Sequence, residues 1–140
     1  MEAAAILTWA EIKEGMEITI PVCVSKEDMA QFARLSGDYN PLHTDESFAR
    51  GKGVAGRVVY GGLLVAYVSR AVGMHLPGRD CIIASLDMQF RNPLFIGEEA
   101  TLTAQVKSKH DAVRLLDIAI KITAASRTIA AGVAQVLMRK

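Results

Sequence analysis

Asp38, Asn40 and His43, in the stretch Gly37-Asp-Tyr-Asn-Pro-Leu-His43, are of the types that proton-transfer chemistry needs. Imidazole is the side chain whose ordinary titration lies nearest neutrality. A carboxylate five residues before it can address the same water molecule or the same substrate proton. The same residues also have a plainer use. Asp38-Tyr-Asn-Pro is a turn composition in which Asp and Asn bond to their own backbone, leaving His43 as a loop or capping residue. Spacing leaves both readings open.

The second candidate is Gly61-Gly62, immediately before a long apolar run. Bare N–H groups at a helix N-terminus can hold an anion or a developing oxyanion. A lone Gly-Gly is equally a flexible joint. Ser69 falls on the apolar run and reads as a core hydroxyl rather than a nucleophile. No serine has the Gly-x-Ser-x-Gly context of an esterase elbow. Neither a P-loop nor a dinucleotide fingerprint is present, and His43, His75 and His110 lack the spacing of metal ligands, so no metal is expected. His75 and His110 fall near predicted element ends and are expected to be solvated.

Around these residues the hydrophobic pattern predicts the scaffold. Met16, Ile18, Ile20, Val22 and Val24 alternate with more polar positions as a half-buried strand, and Pro21 places it at an edge or strand end. Ser25, followed by acids at 27 and 28, opens a helix with Met29, Phe32 and Ala33 on one face. Gly37 supplies a left-handed stop, and Pro41 bars Asn40 from helical geometry. Thr44 or Asp45 caps a second short helix ending at Gly51. Residues 51–60, with three glycines, read as a mobile loop.

Residues 63–73 are apolar around most of a helical circumference, so this helix is expected to be buried nearly all round. The period then changes to two. Ala84, Leu86, Met88 and Phe90 form one face of a strand, Asn92-Pro93 breaks it, and Gly97-Glu98 marks a turn. Leu102/Ala104/Val106 and Leu116/Ile118/Ile120/Ile122 define two more strands, and 129–138 is a nearly continuous apolar one. One strand, a helical block and four strands in succession predict an α+β fold with an antiparallel sheet curled about one apolar helix.

The bulk properties remove whole classes of function. The chain has 140 residues and a formal net charge of +1, with no basic run, so nucleic acid is not an expected partner. Its longest apolar stretch, 58–68, is far below the roughly 20 residues of a membrane span. Cys23 and Cys81 read as small buried hydrophobes in a reducing compartment. With no targeting segment evident, a cytoplasmic, single-domain protein over residues 1–140 is expected.

Phe32-Ala-Arg-Leu-Ser-Gly-Asp-Tyr-Asn-Pro-Leu-His43, followed by Ala49, resembles the signature of the MaoC-like (R)-specific enoyl-CoA hydratases. Val59-Tyr-Gly-Gly-Leu-Leu-Val-Ala-Tyr-Val-Ser69 is similar to the start of that family's central helix. Phe90-Arg-Asn-Pro-Leu-Phe-Ile-Gly-Glu98 is similar to its next strand-turn segment, so the resemblance covers nearly the whole chain. It implies a hotdog fold, a homodimer or higher homo-oligomer with sites at or near the interface, and acyl-thioesters of coenzyme A as substrates rather than a separate cofactor.

It also implies reversible hydration of a trans-2-enoyl thioester to the (R)-3-hydroxyacyl product. Asp38 and His43 inherit the water-activating roles, Asn40 the fixing of the turn, and Gly61 a backbone donor to the thioester carbonyl. Ser69 matches a helix serine near the site. One departure is Tyr60-Gly61-Gly62 where the family often has His-Gly-Met, so Tyr60 re-lines the helix entrance and leaves acyl-chain preference open. Arg57, Arg79 and Arg91 are candidates for the coenzyme A phosphates, with simple solvation as the competing use. A hotdog thioesterase and a non-catalytic acyl-CoA-binding subunit are the alternative functions.

Overall fold

A computed structural model describes residues 1–139. After a short 3₁₀ turn at Trp9–Glu11 come strand β1 (Glu17–Val22) and four helices: α1 (Lys26–Ser36), α2 (Pro41–Thr44), α3 (Glu46–Gly51) and α4 (Gly61–Arg70). A π-helical turn, Ala71–His75, extends α4. Strands β2 (Cys81–Phe90), β3 (Ala100–His110), β4 (Leu115–Ala124) and β5 (Arg127–Met138) complete the chain. The strands form one antiparallel sheet in the order β1-β3-β4-β5-β2. Pro21 accordingly lies on an edge strand, where its missing N–H costs no interior ladder bond.

Alternation fixes which face of the sheet is inside. Leu102, Ala104 and Val106 on β3, and Leu116, Ile118, Ile120 and Ile122 on β4, are all buried. With Ile129, Ala134 and Val136 of β5 they form one cluster with Leu64, Val68, Ala71 and Val72 of the helix. Each fully buried Val, Leu or Ile contributes roughly 1.5–3 kcal/mol of transfer free energy, so this inner face dominates the stability of the fold. The sheet thus packs on the central helix as the α+β, hotdog reading requires. Gly132 allows β5 to meet β2 closely, since a Cβ there would fall 1.9 Å from the Asp87 carbonyl oxygen.

The local signals at α1 act as their residue types dictate. The Ser25 hydroxyl accepts from the Asp28 N–H while the Asp28 carboxylate accepts from the Ser25 N–H, a complete capping box. At the other end Gly37 closes the helix at φ +75°. Asp45, rather than Thr44, caps α3 by accepting from the Phe48 N–H.

Five expectations need correction. The helix following Gly61 is not enclosed: only Leu64 and Val68 of α4 are buried, while Gly62, Ala66, Ser69 and Arg70 are exposed, because the sheet covers one side of it. Ser69 is therefore not a core hydroxyl. The β2 face shifts at a bulge between Ile83 and Ser85, so Cys81 and Ile83 face in before it and Leu86 and Met88 after it; Ala84 and Phe90 are exposed. Cys23 is exposed and Cys81 half-buried, neither being a fully buried hydrophobe. His75 is half-buried, and its Nε2 is shielded without a hydrogen-bond partner, whereas His110 is solvated as expected. No described helix is long and apolar enough to cross a membrane.

Candidate active site

The segment from Ser36 to Asp45 is shaped by hydrogen bonds from side chains to its own backbone. Asp38 Oδ1 accepts from the Asn40 N–H at 3.0 Å, and Asn40 Oδ1 accepts from the Leu42 N–H at 2.9 Å. Asn40 thereby caps the one-turn helix α2, with Pro41 in its first turn, where a missing N–H costs nothing. His43 thus lies in a helical turn, not in a non-helical one. The turn chemistry of Asp and Asn is real, yet it engages one oxygen of Asp38 and leaves Oδ2 without a protein partner among the described residues.

Four long-range hydrogen bonds fix this segment to the 57–60 stretch, one of them from the Val58 N–H to the Leu42 carbonyl at 3.2 Å. His43 Nδ1 lies 2.7 Å from the Val58 carbonyl oxygen. A carbonyl only accepts, so Nδ1 carries a proton here, and Nε2 is the ring nitrogen not engaged by that contact. The Arg57 Nε–H donates to the His43 carbonyl at 2.7 Å. The Tyr60 hydroxyl donates to the Asp38 carbonyl at 2.6 Å.

Tyr60 is the shared neighbour of the two candidate proton-transfer residues. Its ring lies 4.2 Å from the His43 ring centroid and 4.7 Å from that of Phe32, both tilted. It is 1% exposed, the largest fully buried side chain. Burial, and then the Asp38 carboxylate, hold its phenol above the ordinary range, so the hydroxyl remains a donor at working pH. Gly62 accommodates this stack, since a Cβ there would fall 2.9 Å from Phe32 Cζ.

His43 lines a cavity of about 370 Å³ together with Leu42, Val58, Gly61, Leu64 and Leu94. The walls are mostly apolar. Gly61 is the first residue of α4, whose N-terminus has no side-chain cap. Helix geometry leaves the first N–H groups without intrahelical acceptors, so a basic nitrogen and uncapped backbone donors sit in one apolar pocket. The Phe90 ring covers the helix start, within 3.4 Å of where a Gly61 Cβ would be.

The structure thus brings His43, Tyr60 and Gly61 together, and ties Asp38 and Asn40 to them through the turn. Ser69 lies apart: eight residues along a helix rising 1.5 Å per residue separate it from Gly61 by about 12 Å. It lines a different depression with Val72, Gly73 and Ile82. The 51–60 loop is anchored at its end, where Val58 bridges Phe95 and the Val59 N–H bonds the Leu94 carbonyl. That anchoring delivers Val58 and Arg57 to His43, and no local sequence signal announces it. Among the described residues no cluster of His, Cys, Asp and Glu has the makings of a metal site.

Comparison with known proteins, by sequence and by structure, gives the family. The (R)-specific enoyl-CoA hydratase of Rhodospirillum rubrum is 29% identical over 128 residues, covering 91% of this chain and 89% of that protein. The (R)-specific enoyl-CoA hydratase of Aeromonas caviae is 38% identical over 79 residues, 56% of this chain and 59% of that one. The solved (R)-hydratase from A. caviae involved in PHA biosynthesis superposes with a TM-score of 0.87 at 27% identity, covering 91% of this chain and 97% of the other. The MaoC like domain family matches residues 8–127, a span containing α1 to α4, the His43 cavity and the sheet as far as the start of β5; the chain belongs to that family.

Proposed function

We propose that the protein is a hydro-lyase that adds water reversibly across the double bond of a trans-2-enoyl-CoA, giving the (R)-3-hydroxyacyl-CoA. The observation that carries this reading is the orientation of the His43 ring. Its Nδ1–H is committed to the Val58 carbonyl and its basic Nε2 is free, in the same pocket as the uncapped start of α4. The names of the relatives supply the substrate class and the stereochemistry.

Asp38 Oδ2 and His43 Nε2 hold the attacking water and one of them removes its proton. The oxygen bonds to C3, the C2=C3 electron pair shifts toward the thioester carbonyl, and C2 takes up a proton. Water is a poor nucleophile until a base loosens its proton, which is worth about 10²–10⁴ in rate. The developing enolate oxygen needs a preorganised donor, and the Gly61 N–H at the helix start supplies it. Asn40 fixes the turn that carries both proton-transfer residues, and Tyr60 holds that turn against the helix.

Every group used belongs to the chain or to the substrate, so the reaction as written needs no cofactor. The open side of α4 and the exposed Ile82 and Phe90 of edge strand β2 form the face through which a second copy completes the assembly as a homodimer.

The test is a purified-protein assay with trans-2-butenoyl-CoA and longer esters. It follows loss of conjugated thioester absorbance with free thiol measured in parallel. The expected result is absorbance loss without thiol release and an (R)-3-hydroxy product on chiral analysis. Thiol release would identify a thioesterase, and silence at every chain length with ligand still bound would favour an unusual substrate or a binding subunit.

A further inference from the structure

His43 is oriented from the 57–60 stretch, and that stretch is itself held by side chains of α3. The Arg57 Nε–H donates to the His43 carbonyl, the Val58 N–H to the Leu42 carbonyl, and the Val58 carbonyl receives the His43 Nδ1–H. All three bonds depend on where the 55–58 backbone lies. Val58 is secured from one side by its bridge to Phe95. On the other side the chain arrives through Gly53, at φ +88°, and Gly56, the residue type with the fewest conformational restraints.

Glu46, in the first turn of α3, anchors the chain there. One carboxylate oxygen accepts the Arg57 N–H at 3.4 Å, and the other pairs with Arg50 at 3.2 Å. Arg50, one turn further along α3, donates from Nε to the Ala55 carbonyl at 3.3 Å. The two side chains thus hold the backbone on both sides of Gly56. Gly56 is buried, and a Cβ there would fall 2.7 Å from Glu46 Oε1, the three nearest atoms all belonging to the Glu46 carboxylate. The carboxylate therefore fills the space that a side chain at 56 would need. An exposed ion pair one helical turn apart contributes little to global stability. What this arrangement fixes is the position of the backbone that leads into Arg57 and Val58.

We propose that Glu46 is a positioning residue for His43, acting through the backbone at Gly56 and Arg57 with Arg50 as its support; the inference deepens the hydratase reading above and rests on it. Glu46 does not line the His43 cavity. Its carboxylate sets the Arg57 backbone, the Arg57 guanidinium sets the His43 backbone, and the Val58 carbonyl sets the ring. A displaced base leaves the pocket that binds the substrate as it was and transfers a proton less often, so the loss falls on kcat rather than on KM.

The test is a double-mutant cycle in the enoyl-CoA assay, with kcat and KM separated. Glu46 is half-exposed, so its substitution leaves the fold intact. Glu46→Ala and Gly56→Ala are each expected to lower kcat about three- to tenfold, the equivalent of one hydrogen bond, with KM unchanged. Glu46→Gln keeps an acceptor for the Arg57 N–H and is expected to restore kcat to within about twofold of wild type. Removing the carboxylate also removes what a Cβ at 56 would meet, so the double variant is expected to be no slower than Glu46→Ala alone. Glu14→Ala deletes another exposed carboxylate that accepts a remote backbone N–H, from Lys109 at 3.2 Å, and is expected to leave kcat unchanged. Unchanged kcat in Glu46→Ala, no rescue by Glu46→Gln, or losses that multiply in the double variant would overturn the proposal. If the wild-type protein turns over no enoyl thioester, the hydratase reading fails separately, and a proton–nitrogen NMR correlation spectrum of the His43 ring decides. An Nδ1–H signal displaced in Glu46→Ala and Gly56→Ala and restored in Glu46→Gln supports the positioning role; a signal identical to wild type in every variant overturns it.

Discussion

The sheet and the 36–45 segment hold their shapes by opposite means. On β3 and β4 every second residue from Leu102 to Val106 and from Leu116 to Ile122 is at most 2% exposed. Between Ser36 and Asp45 no residue is buried, and the fixed elements are hydrogen bonds: Asp38 and Asn40 to the backbone beyond them, His43 to Val58, Arg57 to His43 and Tyr60 to Asp38. Burial is tolerant of side-chain detail but costly to remove. A hydrogen-bonded turn contributes little to global stability, yet it fixes atoms to within a fraction of an ångström. Proton transfer needs the second kind of order, mounted on the first.

This contrast can be broken most sharply by paired substitutions. Asp38→Asn or His43→Ala is expected to lower kcat by about 10²–10⁴ with a melting temperature close to wild type. Ile118→Ala, on a residue that is fully buried, is expected to cost about 2–5 kcal/mol of stability. Its activity per folded molecule should be retained at low temperature. Thermal unfolding and initial rates on the same samples check both. Should Asp38→Asn destabilise as much as Ile118→Ala, the segment would be structural and its proton-transfer role lost.

The same contrast explains what was legible in the sequence. Burial writes itself as a period, so the alternation on β3, β4 and β5 and the capping signals at Ser25 and Gly37 are readable residue by residue. The Ala84 bulge is not, because an extra residue shifts a face without changing composition. Neither is the open side of α4: Ala66 and Ser69 are small enough to suit either environment. At the site, Asp38, Asn40 and His43 were visible as types at a spacing. The contacts that orient them come from 57–60, fourteen to twenty-two residues away, and leave no periodic trace.

A smaller effect sharpens the comparison where the two regions touch. Tyr60→Phe keeps the rings against Phe32 and His43 and removes only the hydroxyl that holds the Asp38 carbonyl. The expected loss is about 0.5–1.5 kcal/mol of stability and about tenfold in kcat, with KM unchanged, because the turn is loosened and the pocket is not. Equal activity would mean that Asn40 and the Arg57 bond suffice to hold the turn.

The smallest effect tests a polar clamp between the end of a sheet strand and a neighbouring turn. Glu98 and Arg127 make two parallel hydrogen bonds of 2.7 and 2.8 Å, and Arg127 also donates to the Pro93 carbonyl at 3.1 Å. This ties the 93–98 turn, which carries Leu94 into the His43 cavity, to the start of β5. The Arg127 hydrogen bond, and secondarily the Phe95 N–H, hold the Glu98 carboxyl below the usual range against the opposing effect of burial. A folded-state value below the unfolded one, near 4.3, means the clamp stabilises fully above that pH and fades as pH falls through the folded value. Glu98→Gln should therefore lower the melting temperature slightly at neutral pH and flatten its decline below about pH 4.3. Melting curves of both proteins across that range are the measurement. Parallel profiles would show that solvent screens the pair completely and that the turn is held by the backbone bonds of Val59 to Leu94 and Gly97 to Val24 instead.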